Sequence, residues 1–121
     1  MSDLTPPKLR PLVWLGDAKK RVQAFPVGAK KLVGDELWLI QAKQMSVATK
    51  PFKGIGSGVF EIAVRYDKEA YRTVLAVQLG QKIYVLHAFQ KKSKSGIKTP
   101  KKDVELIQRR YKEAQELAKH E

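Results

Sequence analysis

The chain has 121 residues, 43% of them hydrophobic and none of them cysteine, and its 24 Lys and Arg against 12 Asp and Glu give a net charge of +12. That is the length of one ordinary domain with enough apolar content for a modest core, which excludes wholesale disorder. Without cysteine there are no disulfide staples or thiolate metal sites, and two histidines cannot supply a zinc tetrad by themselves.

No apolar run approaches the ~20 residues of a membrane helix. The opening "MSDLTPPKLRP" lacks the apolar stretch of a secretory signal. The expectation is a soluble cytoplasmic protein. A charge of this size on a small domain points to a polyanionic partner such as nucleic acid or an acidic membrane surface, and the interspersed Lys, Arg and Glu of the last helix argue against a membrane partner.

Residues 1–10 read as a flexible N-terminal arm and 11–121 as a single domain. "PLVWL" (11–15) is a short apolar run suited to a strand. Gly16-Asp17 ends it, with Asp17 as N-cap of a short helix over "AKKRVQAF". Pro26 suits the first turn of a second helix, along which Ala29, Val33, Leu37 and Ile40 keep helical spacing. "TKPFKGIGSG" (49–58) reads as a flexible loop. Its glycines invite a phosphate-binding reading, but the pattern G-x-x-x-x-G-K-[ST] is missing, leaving Lys53 as the one charge of interest.

Three strands follow, at 59–66, 71–79 and 82–90. In the first, Phe60, Ile62, Val64 and Tyr66 alternate against Val59, Glu61, Ala63 and Arg65. Gly80-Gln81 suits a two-residue type II′ hairpin. Thr99-Pro100 then opens a last helix, with Val104, Ile107, Tyr111, Ala114 and Ala118 forming one apolar stripe. The order β-α-α-β-β-β-α predicts an α+β domain with helices packed on an antiparallel meander.

Pairing the strands by these turns places Arg65 opposite Arg72, Val74 opposite His87 and Arg72 opposite Phe89. Arg65, Arg72, His87, Phe89 and Lys91 then share one sheet face, while Tyr66, Tyr71, Leu75, Tyr84 and Leu86 take the other. Residues 90–102 carry six lysines and no acid, half of the whole excess. A run of lysines is often only a solvated surface. Here it continues a face that already holds two arginines and a histidine, and an anion site accounts better for the combination. His87 beside basic groups would be held neutral, a form able to act as a general base, although a histidine in an apolar strand is more often a hydrogen-bonded core residue.

"PFKGIGSGVFEIAVRYDKEAYRTVLAV" and "KIYVLHAFQKKSKSGIKTPKKDVELIQRR" resemble the phage-derived branch of the HigB/RelE superfamily of toxins. The similarity runs over about 11–117, with "EAYR", "VLHAFQKKS" and "TPKKDVELI" as its most specific parts. The resemblance implies a RelE-like fold and a type II toxin that cleaves mRNA in the ribosomal A site without metal or cofactor. It further implies a helix-turn-helix, HigA-like antitoxin from the same operon.

By position, Arg72 matches the family's strand arginine and Lys91-Lys92 its basic pair. Arg65, Arg72, His87, Lys91 and Lys92 are therefore the candidate catalytic residues. Lys53, Phe89, Lys94, Lys98, Lys101 and Lys102 are candidate RNA contacts, with Phe89 as a stacking platform. The loop after the basic pair has no tyrosine, and Glu61 and Ala63 stand where some relatives carry lysines. His87, Lys91 and Glu61 all remain candidates for general acid and base. A non-catalytic basic nucleic-acid-binding module is the alternative reading.

Overall fold

The alternation of the central strands leaves a sheet apolar on both faces, so both must be covered. In the computed structural model, which describes residues 8–91 and 98–121, helices cover both. The elements are β1 (Leu12–Trp14), α1 (Ala18–Gln23), α2 (Val27–Gln41), β2 (Thr49–Pro51), β3 (Val59–Tyr66), β4 (Glu69–Ala76), β5 (Ile83–Lys91) and α3 (Lys101–Ala118). The strand order is β1-β5-β4-β3-β2. β3, β4 and β5 form the expected antiparallel meander, whereas β1 joins β5 in parallel, so the sheet is mixed.

The helical stripes explain the layers. Ala29, Val33, Leu37 and Ile40 of α2 are buried with Ala18 and Val22 of α1 against Ile62, Val64, Tyr71, Leu75, Ile83, Val85 and Ala88. On the opposite face Ile107 and Ala114 of α3 are buried against Val59, Val74, Ala76, Tyr84, Leu86 and Phe89. Among the described residues no helix is long and apolar enough to cross a membrane.

Several local expectations are corrected. Thr49–Pro51 is not loop but the edge strand β2, paired antiparallel with β3. Three residues are too few for alternation to show, and Pro51 is tolerated because an edge strand has one unpaired side. The glycine-rich turn after it is not loosely held either. Phe52 and Ile55 pack against the α3-side core, and a Cβ on Gly56 would lie 2.5 Å from the Tyr111 Oη.

The type II′ hairpin at Gly80-Gln81 does not form, and β4 ends at Ala76. The connection 77–82 is held instead by Arg10, whose guanidinium donates to the carbonyls of Val77 (2.7 Å), Gln81 (3.0 Å), Gly80 (3.1 Å) and Lys82 (3.2 Å). The expected flexible arm therefore ends in a fixed residue; residues 1–7 lie outside the described part.

Neither predicted side-chain cap is made. Pro26 and Pro100 themselves stand at the N-cap positions of α2 and α3, and Thr99 precedes the cap. The Asp17 carboxylate is committed elsewhere, accepting from Arg21 Nε and from Arg110 Nη2, both at 2.8 Å.

Between Val74 and Leu75 the β4–β5 register slips by one residue, from Val74↔His87 to Leu75↔Val85. Leu86 is the extra residue of this bulge. The slip puts Tyr84 and Leu86 on the α3 side, not with Leu75 and Tyr71 as simple alternation predicts. Arg110 seals it, donating through Nη1 to the Leu86 carbonyl at 2.9 Å. Gly16, at φ +51°, leaves room for that guanidinium, since a Cβ there would lie 2.4 Å from Nη2.

Arg110→Ala should destabilise the protein by about 2–3 kcal/mol, because it strands a buried carbonyl as well as removing an ion pair. Denaturant melts measure this. The two arginines hold the Asp17 carboxyl down at about 2, against burial, from an ordinary 3.8. The paired form therefore stabilises fully above about pH 4, and that contribution is lost as pH falls toward about 2. Asp17→Asn should flatten this acid limb.

Candidate nucleic-acid interface

Asp67 and Lys68 both take positive φ, 51° and 67°, and form the two-residue β3–β4 turn. Such turns match the twist of a hairpin. The tight turn sets the register two residues away from the expected one: Arg65 pairs with Ala70, and Arg72 with Ala63. A two-residue slip keeps every side chain on its face, so Arg65, Arg72, Phe89 and Lys91 still share the α3 side. It ends the predicted arginine–arginine opposition, and brings Glu61 to Arg72 instead.

The Arg72 guanidinium donates from Nη1 to Glu61 Oε1 at 2.8 Å, with the two side chains only 19% and 10% exposed. Arg72 is thus set into the sheet, not displayed on an open face. Two more cations adjoin the pair. Lys91, opposite Ala70, is half-buried, and Lys50 on β2 is directly opposite Glu61. Burial first, then the Arg72 and Lys50 cations, hold Lys91 below the ordinary lysine range, against the pull of Glu61. Lys50, Glu61, Arg72 and Lys91 make a diagonal across four strands, three positive charges around one negative. Arg65 is exposed near its end.

His87 and Phe89 take a different part. His87 is fully buried and Phe89 is 6% exposed, and their rings stack on each other at 5.4 Å. Neither ring is presented to a substrate, so a catalytic contact from His87 and a base platform on Phe89 do not fit this geometry. The packing of α3 over β5 is the cause.

His87 Nε2 lies 2.8 Å from Asp103 Oδ1, in the first turn of α3. A carboxylate only accepts, so Nε2 carries the proton, and the buried Nδ1 has no partner among the described residues. Burial depresses the His87 pKa, outweighing the upward pull of Asp103, and Arg21 and Arg110 lower it further. The histidine is a neutral tie between sheet and helix.

That tie brings the start of α3 to the site end of the sheet, with Lys98, Lys101 and Lys102 all exposed there. Lys92 and Lys94 lie outside the described residues. Lys53 sits on the β2–β3 turn, at the Val59↔Ala76 end, away from Arg65 and Lys91. Lys50 was missed by sequence reasoning because β2 was; a lysine beside a proline in a presumed loop gives no sign of which strand it will face. Among the described residues no three His, Asp or Glu side chains come together as a metal site.

Residues 20–112 match the family described as phage derived protein Gp49-like (DUF891). The chain belongs to this family. It is a toxin-like family of the RelE/HigB type, and the observed α+β architecture agrees with a RelE-like fold. Membership points to the toxin of a toxin–antitoxin pair, and so to an antitoxin partner for this Gp49-like protein. No curated protein and no solved structure matches the chain.

Two tests follow from the geometry. Glu61→Ala leaves Arg72 as a largely buried charge without its partner and should cost about 3 kcal/mol in a denaturant melt. Replacing both residues by apolar ones should cost less than the single change. His87, depressed below its ordinary 6.5, is neutral when folded but protonates when unfolded. Its contribution is present above about pH 6.5 and declines as pH falls below that value. His87→Gln should remove that part of the decline.

Proposed function

We propose that this Gp49-like protein is the toxin of a type II toxin–antitoxin pair, of the HigB branch, and that it cleaves mRNA in the ribosomal A site. The observation that carries this reading is Arg72, fixed by Glu61 beside Lys91 on a sheet face that ends in a lysine-rich joint. A guanidinium held rigid by a carboxylate and flanked by ammonium groups is suited to the charge that develops on a phosphate under attack.

The reaction is an internal transfer. The ribose 2′-oxygen attacks the adjacent phosphorus; the P–O2′ bond forms and the P–O5′ bond breaks, leaving a 2′,3′-cyclic phosphate and a 5′-hydroxyl. Glu61, bound to Arg72 through one oxygen, accepts the 2′ proton. Lys91, whose proton is more easily given up than an ordinary lysine's, donates to the leaving 5′-oxygen. Arg72 and Arg65 bind phosphate oxygens. No metal or organic cofactor enters this scheme.

Lys98, Lys101 and Lys102 hold neighbouring phosphates, as does Lys94 in the same stretch of sequence, while Lys92 completes with Lys91 the basic pair that serves the scissile phosphate. The antitoxin of this reading is a helix-turn-helix, HigA-like protein from the same operon that covers the basic face.

Purified protein with translating ribosomes tests the reading. The parent should cut mRNA, and Arg72→Ala should lower the cleavage rate by about 10²–10³-fold while still binding. Binding without cleavage by the parent would leave a basic RNA-binding module instead. Replacing Lys98, Lys101 and Lys102 with glutamine should flatten the log–log salt dependence of RNA binding by about two, at ~0.7 for each phosphate contact removed. An unchanged slope would make those lysines a solvated surface.

A further inference from the structure

β2 is three residues long and sits at the sheet edge, yet it contributes the charge at the outer end of the cationic diagonal. Its register fixes Lys50 opposite Glu61, and directly opposed residues share a face. Pro51 follows at once. It has no N–H to donate, so the outer edge of β2 offers no donor there, and its fixed φ stiffens the backbone next to Lys50.

Glu61 would be the natural partner of a lysine placed there, but its Oε1 is taken by Arg72, at 2.8 Å. Among the described residues no ion pair joins Lys50 to a carboxylate. Lys50 is exposed, on the outer side of Glu61, while Lys91 and Arg72 lie on the inner side. Its field reaches Lys91 and adds to that of Arg72. Two lysines and an arginine around one carboxylate carry a net charge of +2 (3 − 1), and like charges so close raise the free energy of the empty site. A bound phosphate removes that repulsion, and cations on both sides of Glu61 enclose it.

We propose that Lys50 is a further catalytic residue, whose ammonium contacts a non-bridging oxygen of the scissile phosphate from the β2 side while Arg72 and Lys91 hold it from the β4–β5 side. This rests on the cleavage reading above. Lys50 takes no part in proton transfer; it stabilises the negative charge that grows on the phosphate oxygens as the P–O2′ bond forms. β2 is thereby a functional element, an edge strand that carries a cation to a place where β3 offers only Glu61 and Ala63. The substrate class is a phosphodiester with a free 2′-hydroxyl.

The test is single-turnover cleavage of mRNA on saturating ribosomes by the parent, Lys50→Ala, Lys50→Met and Lys50→Arg, with ribosome affinity measured alongside. Lys50→Met keeps the apolar stem, so a packing effect of the alanine on the edge strand is separable. Both neutral variants should lose about 10²-fold in saturated rate with affinity changed by less than about threefold, and Lys50→Arg should recover most of the rate. Lys30→Ala, on the outer face of α2, should change neither.

The alkaline limb of the rate profile should also move to higher pH in Lys50→Met, because Lys91 then loses one neighbouring cation. An active parent with fully active Lys50→Met overturns the assignment and leaves the cleavage reading standing. Loss of affinity with an unchanged saturated rate overturns it too, making Lys50 a distant phosphate contact. A parent that binds but never cleaves removes the cleavage reading, and Lys50 with it.

Discussion

The bulge at Leu86, sealed by Arg110, is the constraint on which the rest of the arrangement depends. β5 has two jobs. Its first half must place Ile83 and Val85 toward α1 and α2 beside β1, and its second half must place Phe89 and Lys91 toward α3 and the site. Strict alternation cannot serve both in the observed register, because one residue of slip exchanges the faces. The extra residue solves this and leaves a carbonyl without a ladder partner, which Arg110 satisfies at 2.9 Å. The same guanidinium binds Asp17 at the start of α1, so one side chain joins the bulge, the α3 helix and the β1–α1 corner.

From that junction the site follows. α3 lies along β5 with its first turn at His87, and the buried His87–Asp103 bond fixes where the lysine-rich joint re-enters the fold. At the same end the two-residue turn Asp67-Lys68 fixes the β3–β4 register and brings Glu61 within reach of Arg72. A lone carboxylate among cations looks wasteful under the proposed reading, in which the site holds a polyanion. Its physical use is orientation: an arginine free to swing loses entropy when it meets a phosphate, whereas one already held by a carboxylate loses little. In that reading the excess of positive charge around the pair remains available to the phosphate.

The parts of this arrangement that repeat were legible in the sequence. The stripes Ala29-Val33-Leu37-Ile40 and Val104-Ile107-Tyr111-Ala114-Ala118 gave α2 and α3 with their inward faces, and alternation gave the three meander strands. Because a register error of two residues preserves faces, the shared side of Arg65, Arg72 and Lys91 was also readable. What does not repeat was not readable. β2 is too short to alternate; the bulge is a single insertion whose position only the packed α3 and Arg110 determine; and the 77–82 connection is organised by Arg10, some seventy residues away in sequence. The commoner reading of a histidine in an apolar strand, a hydrogen-bonded core residue, is the one the structure shows for His87. The burial of Phe89 was hidden, since which part of a face a helix covers depends on how that helix is anchored.

The measurement that most directly tests the account is the chemistry of the RNA ends after the purified protein acts on mRNA in translating ribosomes. Transfer to the neighbouring 2′-oxygen, driven by side chains alone, should leave a 2′,3′-cyclic phosphate on one fragment and a 5′-hydroxyl on the other, at positions that map to the A site. Intact mRNA on ribosomes carrying the bound protein, or fragments bearing a 5′-phosphate and a 3′-hydroxyl, would contradict it.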